Sequence, residues 1–134
     1  MKAAWFEAFG NAKDVIRVGE QTKPQAGPGE VLVRLHTSGV SPSDVKKRAG
    51  ASPNLLKEGS VISKSDGAGV IESVGDKVAN SRVGERVWVY QAQFARSLGT
   101  AAEYVALDSS RAVSLPDNTD FDVGACLGIP AMTA

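Results

Sequence analysis

Between Ser65 and Gly75 the chain reads Ser-Asp-Gly-Ala-Gly-Val-Ile-Glu-Ser-Val-Gly. Two glycines, Gly67 and Gly69, open directly into an apolar run that closes on a third, Gly75. Without a Cβ, glycine admits sharp turns and close backbone approaches that other residues do not. A second glycine-led apolar run follows at Gly84-Glu85-Arg86-Val87-Trp88-Val89. The first stretch is not a phosphate-cradling Gly-x-Gly-x-x-Gly turn. Glu72 stands where the third glycine would fall, and the residues that follow read as strand, where that motif needs a helix. The pattern calls for short strands separated by tight turns.

The rest of the chain repeats that organisation. Lys2 to Phe6 and Val15 to Glu20 read as strands that pair across a Gly10-Asn11 turn. Gly27-Pro28-Gly29 is a turn signal, since proline fixes φ and glycine frees it. Glu30 to His36 alternates, with Val31, Val33 and Leu35 on one face. Ser41-Pro42-Ser43-Asp44 has the makings of a helix start: a capping serine, a proline in the first turn and an acid at the positive end. That helix ends near Gly50, and residues 51–63 are irregular. Further strands are predicted at Gly69–Val74, Arg86–Tyr90, Thr100–Leu107 and Arg111–Val113. Thr119-Asp120-Phe121-Asp122 is a second cap-like start that leads into a modest helix over Val123–Leu127, which Pro130 breaks. The fold class is therefore mainly β with short helices, a small, partly open antiparallel barrel.

Length and charge narrow the function classes. The chain has 134 residues, the size of one domain. Lys plus Arg equals Asp plus Glu, so no basic face offers itself to nucleic acid. The Lys46-Lys47-Arg48 run reads as a solvated helix end. A single cysteine, Cys126, permits no internal disulfide and suits a reducing cytoplasm. It is read as packing within a short apolar helix, with no adjacent cation to activate it. No apolar run is long enough for a membrane helix. No Gly-x-Ser-x-Gly elbow supports hydrolase chemistry. His36 shares a strand face with Arg34 and reads as an exposed structural histidine.

Five fragments in this order carry a resemblance: Gly27 to Val33, Gly39 to Asp44, the glycine stretch itself, Gly84 to Val87, and the tail Leu127-Gly128-Ile129-Pro130-Ala131-Met132-Thr133-Ala134. Together they resemble the medium-chain dehydrogenase/reductase superfamily, and within it the zinc-free, zeta-crystallin-like quinone oxidoreductases. The resemblance implies a GroES-like catalytic domain over residues 1–127, with 128–134 beginning the connection to a Rossmann nucleotide-binding domain. The sequence ends at Ala134 without a dinucleotide fingerprint, so the chain is expected to be the N-terminal piece of a longer reductase. In zinc-dependent members the signature holds a His-Glu pair whose histidine binds the metal. Here Asp66 and Gly67 are read into that place, and Ser41 into that of a ligating cysteine. Cys126 and His36 alone make no zinc site, which wants three or four protein ligands. No metal is expected.

The implied activity is NADPH-dependent hydride transfer to a quinone or a similar conjugated carbonyl. Such acceptors delocalise the incoming charge, whereas alcohol oxidation needs a metal or base to hold the alkoxide. An enoyl or alkenal reductase of the same superfamily is the alternative, and a structural or RNA-binding relative is the non-catalytic one. Ser41 is a catalytic and cofactor-contacting candidate that can also cap its helix. Lys46 stabilises a developing oxyanion or is simply an exposed helix lysine. Asp66 is a polar group of the cleft or an acid that caps a turn beside Gly67. Ser43 and Tyr90 are substrate-side candidates, while Ile129 and Thr133 lie near the nicotinamide in the resemblance. The full-length protein is expected to be a cytoplasmic homodimer, and this piece alone a monomer.

Overall fold

The computed structural model describes residues 1–134. Eight strands form two antiparallel sheets. β1 (Lys2–Phe6) lies between β2 (Ile16–Glu20) and the two-residue β4 (Val61–Ile62). The larger sheet runs β7 (Tyr104–Asp108), β3 (Glu30–Ser38), β5 (Gly67–Val74), β6 (Arg86–Val89), β8 (Ala112–Ser114). It curls into a half-barrel, and single bridges at Ala3–Ala102 and Ile62–Leu98 tie the small sheet to the loop that precedes β7. Four short helices punctuate the strands: α1 (Ala12–Val15), α2 (Pro42–Arg48), α3 (Phe121–Gly124) and α4 (Ile129–Thr133). None is long and apolar enough to cross a membrane.

Alternation along β3, β5, β6 and β7 aims one face of the large sheet inward. Val31, Val33, Ile71, Val87, Val89, Val105 and Leu107 meet there at 1% exposure or less, closed by Ala92 and Ala112. Each such side chain contributes about 1.5–3 kcal/mol by leaving water. Leu32, on the opposite side of β3, is buried too, so this strand is covered on both faces over its first half.

The β3–β5 pairing breaks register between Leu32 and Val33 and again between Leu35 and Thr37. Bulges bend and twist a strand, and here they sit in the pair at the centre of the curl. Gly69 faces Leu35 across this pair, where an added Cβ would run into the Arg34 carbonyl. The signature glycine therefore permits a close strand crossing.

Several elements differ from expectation. Ala12–Val15 is a helical turn, and β2 starts after it at Ile16. Val61–Ile62 pairs with β1 although residues 51–63 read as irregular, and Pro53–Leu56 in the same stretch forms a 3₁₀ turn. The strand expected from Thr100 begins at Tyr104, and the last short strand spans Ala112–Ser114. Pro130 does not end a helix. It stands in the first turn of α4, where its missing N–H costs nothing.

Candidate functional site

The loop leaving β3 delivers Ser41 to the N-cap of α2 with extended backbone (φ −118°, ψ 155°), and Pro42 follows in the first turn. Asp44 folds back so that its Oδ2 accepts the Ser41 N–H at 2.8 Å, as the third helical residue does in a capping box. Ser41 is buried, and its hydroxyl donates to Asp66 Oδ2 at 3.4 Å.

Asp66 is the hub of this region and is 1% exposed. Its backbone carbonyl accepts from the Gly39 N–H at 2.9 Å and from the Thr100 hydroxyl at 2.7 Å. Both of its carboxylate oxygens lie 3.2 Å from the Ile129 nitrogen and accept its N–H. Gly128 makes that approach possible, since any side chain there would begin inside the Asp66 carboxylate. Asp66 thereby ties the end of the chain, across 63 residues of sequence, to the start of β5.

Burial pushes the Asp66 carboxyl above its ordinary value. The Ile129 N–H opposes that push, the Asp44 charge adds to it, and the Ser41 hydroxyl opposes it. Two buried polar atoms beside the hub have no partner: Ser43 Oγ and Asp44 Oδ1. Leaving a buried polar atom without a hydrogen bond costs about 1–3 kcal/mol.

Ser41, Ser43 and Asp66 therefore belong to one neighbourhood. Tyr90 borders it, with its Cβ beside Gly128, its ring 5.7 Å from Trp88, and its hydroxyl donating to the Ser110 carbonyl at 3.4 Å. Ile129 joins through its N–H, which is already committed to Asp66, so only its side chain and carbonyl face outward tasks. Thr133 is exposed on α4. Lys46 is exposed on α2, and no hydrogen bond or ion pair ties its side chain to the Ser41–Asp66 hub. Its neighbours in the basic run are not merely solvated: Lys47 donates to Gln93 Oε1 at 3.0 Å and Arg48 to the Gly10 carbonyl at 3.2 Å.

Cys126, read as a packing residue, is exposed, because α3 ends at Gly124 and the turn after it rolls Cys126 outward. His36 is exposed and stacks on Phe121 with ring centroids 4.3 Å apart, away from the hub. The sequence marks Asp44 only as the acid of a helix start and Thr100 only as the first residue of a strand, and places neither at the hub. The Ser-x-x-Asp spacing signals Asp44; nothing local signals Thr100, whose place depends on the long-range crossing of two loops.

The side chains of this chain do not by themselves assemble a zinc site. No three side chains among His, Cys, Asp and Glu converge anywhere in the chain.

Residues 27–117 match the alcohol dehydrogenase GroES-like domain, about two-thirds of the chain. The chain belongs to this family. Over its whole length the chain is 34% identical to the quinone oxidoreductase of Mus musculus, of which it covers 39%. Among solved structures, the quinone oxidoreductase from Coxiella burnetii superposes with a TM-score of 0.88 at 26% identity, over 96% of this chain and 41% of that one. A mycobacterial protein solved with NADPH superposes with a TM-score of 0.80 at 28% identity, over 93% of this chain and 37% of that one. These relatives place the GroES-like domain in the medium-chain dehydrogenase/reductase superfamily, and it spans about two-fifths of their length.

Proposed function

We propose that this domain is the catalytic-domain portion of an NADPH-dependent quinone oxidoreductase that delivers hydride to a quinone or similar conjugated carbonyl without zinc. In this reading residues 1–127 form the catalytic domain and 128–134 begin the connection to the nucleotide-binding domain. The whole protein is a cytoplasmic homodimer. The observation that carries the reading is likeness to quinone oxidoreductases over the full chain. The oxygen-rich hub of Ser41, Ser43, Asp44 and Asp66, which lacks a zinc donor set, supports it.

When bound, the nicotinamide supplies the hydride, and the protein supplies orientation and electrostatics. Asp66 holds the Gly128–Ile129 turn in place, and with it the start of α4 that carries Thr133. The Ser41 hydroxyl is pinned against Asp66, and the Ser43 hydroxyl is buried without a partner in the same turn of α2. Tyr90 flanks the Gly128–Ile129 turn and offers its ring to a planar acceptor. Lys46 acts on the reaction only if an acceptor reaches the exposed face of α2.

The test is a substrate panel with the full gene product. It follows NADPH oxidation with 1,4-benzoquinone and ubiquinone analogues against 2-alkenals and enoyl thioesters. The highest kcat/KM is expected with quinones. Preference for the thioesters would instead make the protein an enoyl reductase of the same superfamily.

A further inference from the structure

A cavity of about 390 Å³ lies between the 3₁₀ turn at Pro53–Leu56 and the segment from Gln93 to Ser97, and none of the hub residues lines it. Its walls are fastened. Gln93 is 1% exposed and spends its whole amide there: Oε1 accepts from Lys47 Nζ at 3.0 Å, and Nε2 donates to the Arg96 carbonyl at 2.8 Å. Across the mouth, the Ser97 hydroxyl donates to Glu58 Oε2 at 2.7 Å.

The charge around this cavity is unbalanced. Lys47, Lys57 and Arg96 line it against the single carboxylate of Glu58. None of the four ion pairs in the chain involves any of these residues. Arg96 is turned inward onto the carbonyls of Leu98 and Ala106. Burial pulls its guanidinium below the ordinary arginine value; the Glu30 charge opposes that pull and the Arg111 charge adds to it. The lining also includes Leu55 and the ring of Phe94, which is 59% exposed.

The segment is held in an unusual shape. Gln91 and Ala95 flank Phe94 with φ of 52° and 55°, the left-handed region that side chains other than glycine rarely adopt. Backbone strain of that kind gathers at ligand sites, where the surrounding structure enforces it.

We infer that this cavity binds a small aromatic or conjugated molecule bearing a phosphate or carboxylate, the anion meeting Lys47, Lys57 and Arg96 and the planar body lying against Phe94 and Leu55. The three cations supply charge-assisted donors, and the exposed ring supplies a stacking surface. The assignment stands apart from the oxidoreductase reading, because the cavity shares no residue with the hub.

The test uses the full gene product labelled with ¹⁵N and titrated with 1-naphthyl phosphate, with neutral 2-naphthol and inorganic phosphate as controls. The expected result is saturable shifts of the amides at Lys47, Leu55 to Glu58 and Phe94 to Ser97, tighter for the naphthyl phosphate than for either control and weakened by added salt. Lys57→Glu, at an exposed position with no structural partner, is expected to weaken 1-naphthyl phosphate roughly three- to tenfold. Phe94→Ala is expected to weaken both naphthyl ligands and leave inorganic phosphate unchanged. Equal affinity for the charged and neutral naphthyl compounds, shifts that map elsewhere, or a Lys57→Glu variant that binds as the parent does would overturn the assignment.

Discussion

Asp66 illustrates how a polar residue can serve a fold and a site through the same contacts. Its carboxylate is the acceptor for the Ile129 N–H, and its carbonyl gathers Gly39 and Thr100. Replacing it with alanine leaves that N–H without its acceptor and a gap beneath the Gly128 turn. Asp66→Ala is expected to cost about 1–3 kcal/mol in urea unfolding, with faster amide exchange concentrated in residues 128–134. A pH signature accompanies this. Because burial raises the folded-state value of Asp66, its contribution is fully present below the ordinary carboxyl value of 3.8 and is lost as pH rises through the raised one. Asp66→Asn keeps an acceptor and removes the titration. Relative to wild type, this variant should therefore gain thermal stability as pH rises from acid to neutral, and a constant difference across that range would contradict the assignment. The sequence marks Asp66 by its place in the glycine stretch. It does not show that the carboxylate faces Ile129, 63 positions away, because nothing local encodes that contact.

At the scale of elements, what the sequence made legible follows from how each signal arises. β1, β3, β5, β6 and the start of α2 announce themselves through alternation, glycine punctuation and a capping serine, all of them local. β4 has only two residues and exists because β1 offers Trp5 and Phe6 for pairing, which no local pattern records. α1 is a single turn with no apolar period to betray it. Proline misled at α4, because a first-turn proline and a helix-breaking one look alike until the start of the helix is known.

The same scale shows which glycines matter. Gly128→Ala would press a methyl group into Asp66, and Gly69→Ala would press one into the Arg34 carbonyl. Each is expected to lower stability by about 1–3 kcal/mol, the usual range for overpacking. Gly128→Ala should act mainly on the tail, whereas Gly69→Ala should act on the whole sheet. Chemical-shift changes confined to residues near 128 in the first variant and spread over β3 and β5 in the second would confirm the distinction. Shortening a side chain at the centre of the sheet is costlier. Ile71→Ala, at a fully buried position, should cost about 2–5 kcal/mol in the same unfolding measurement.

Across the whole molecule, the half-barrel is a platform. Its core lies within the curled sheet, while the chemistry-bearing groups collect where the loop after β3, the start of β5 and the end of the chain meet. That separation lets the hub residues change while the valine-rich interior stays the same. It also explains why the family was legible from the sequence and the roles of individual site residues were not: the signature glycines report on strand crossings, whereas side chains such as Lys46 and Tyr90 depend on which surfaces the folded chain leaves open. The central claim is that hydride transfer by the full protein proceeds with oxygen donors in place of a metal. Its most direct test is the rate of NADPH oxidation with 1,4-benzoquinone before and after exhaustive treatment with a zinc chelator. The rate is predicted to be the same before and after; activity that disappears on chelation and returns with added Zn²⁺ would contradict the account.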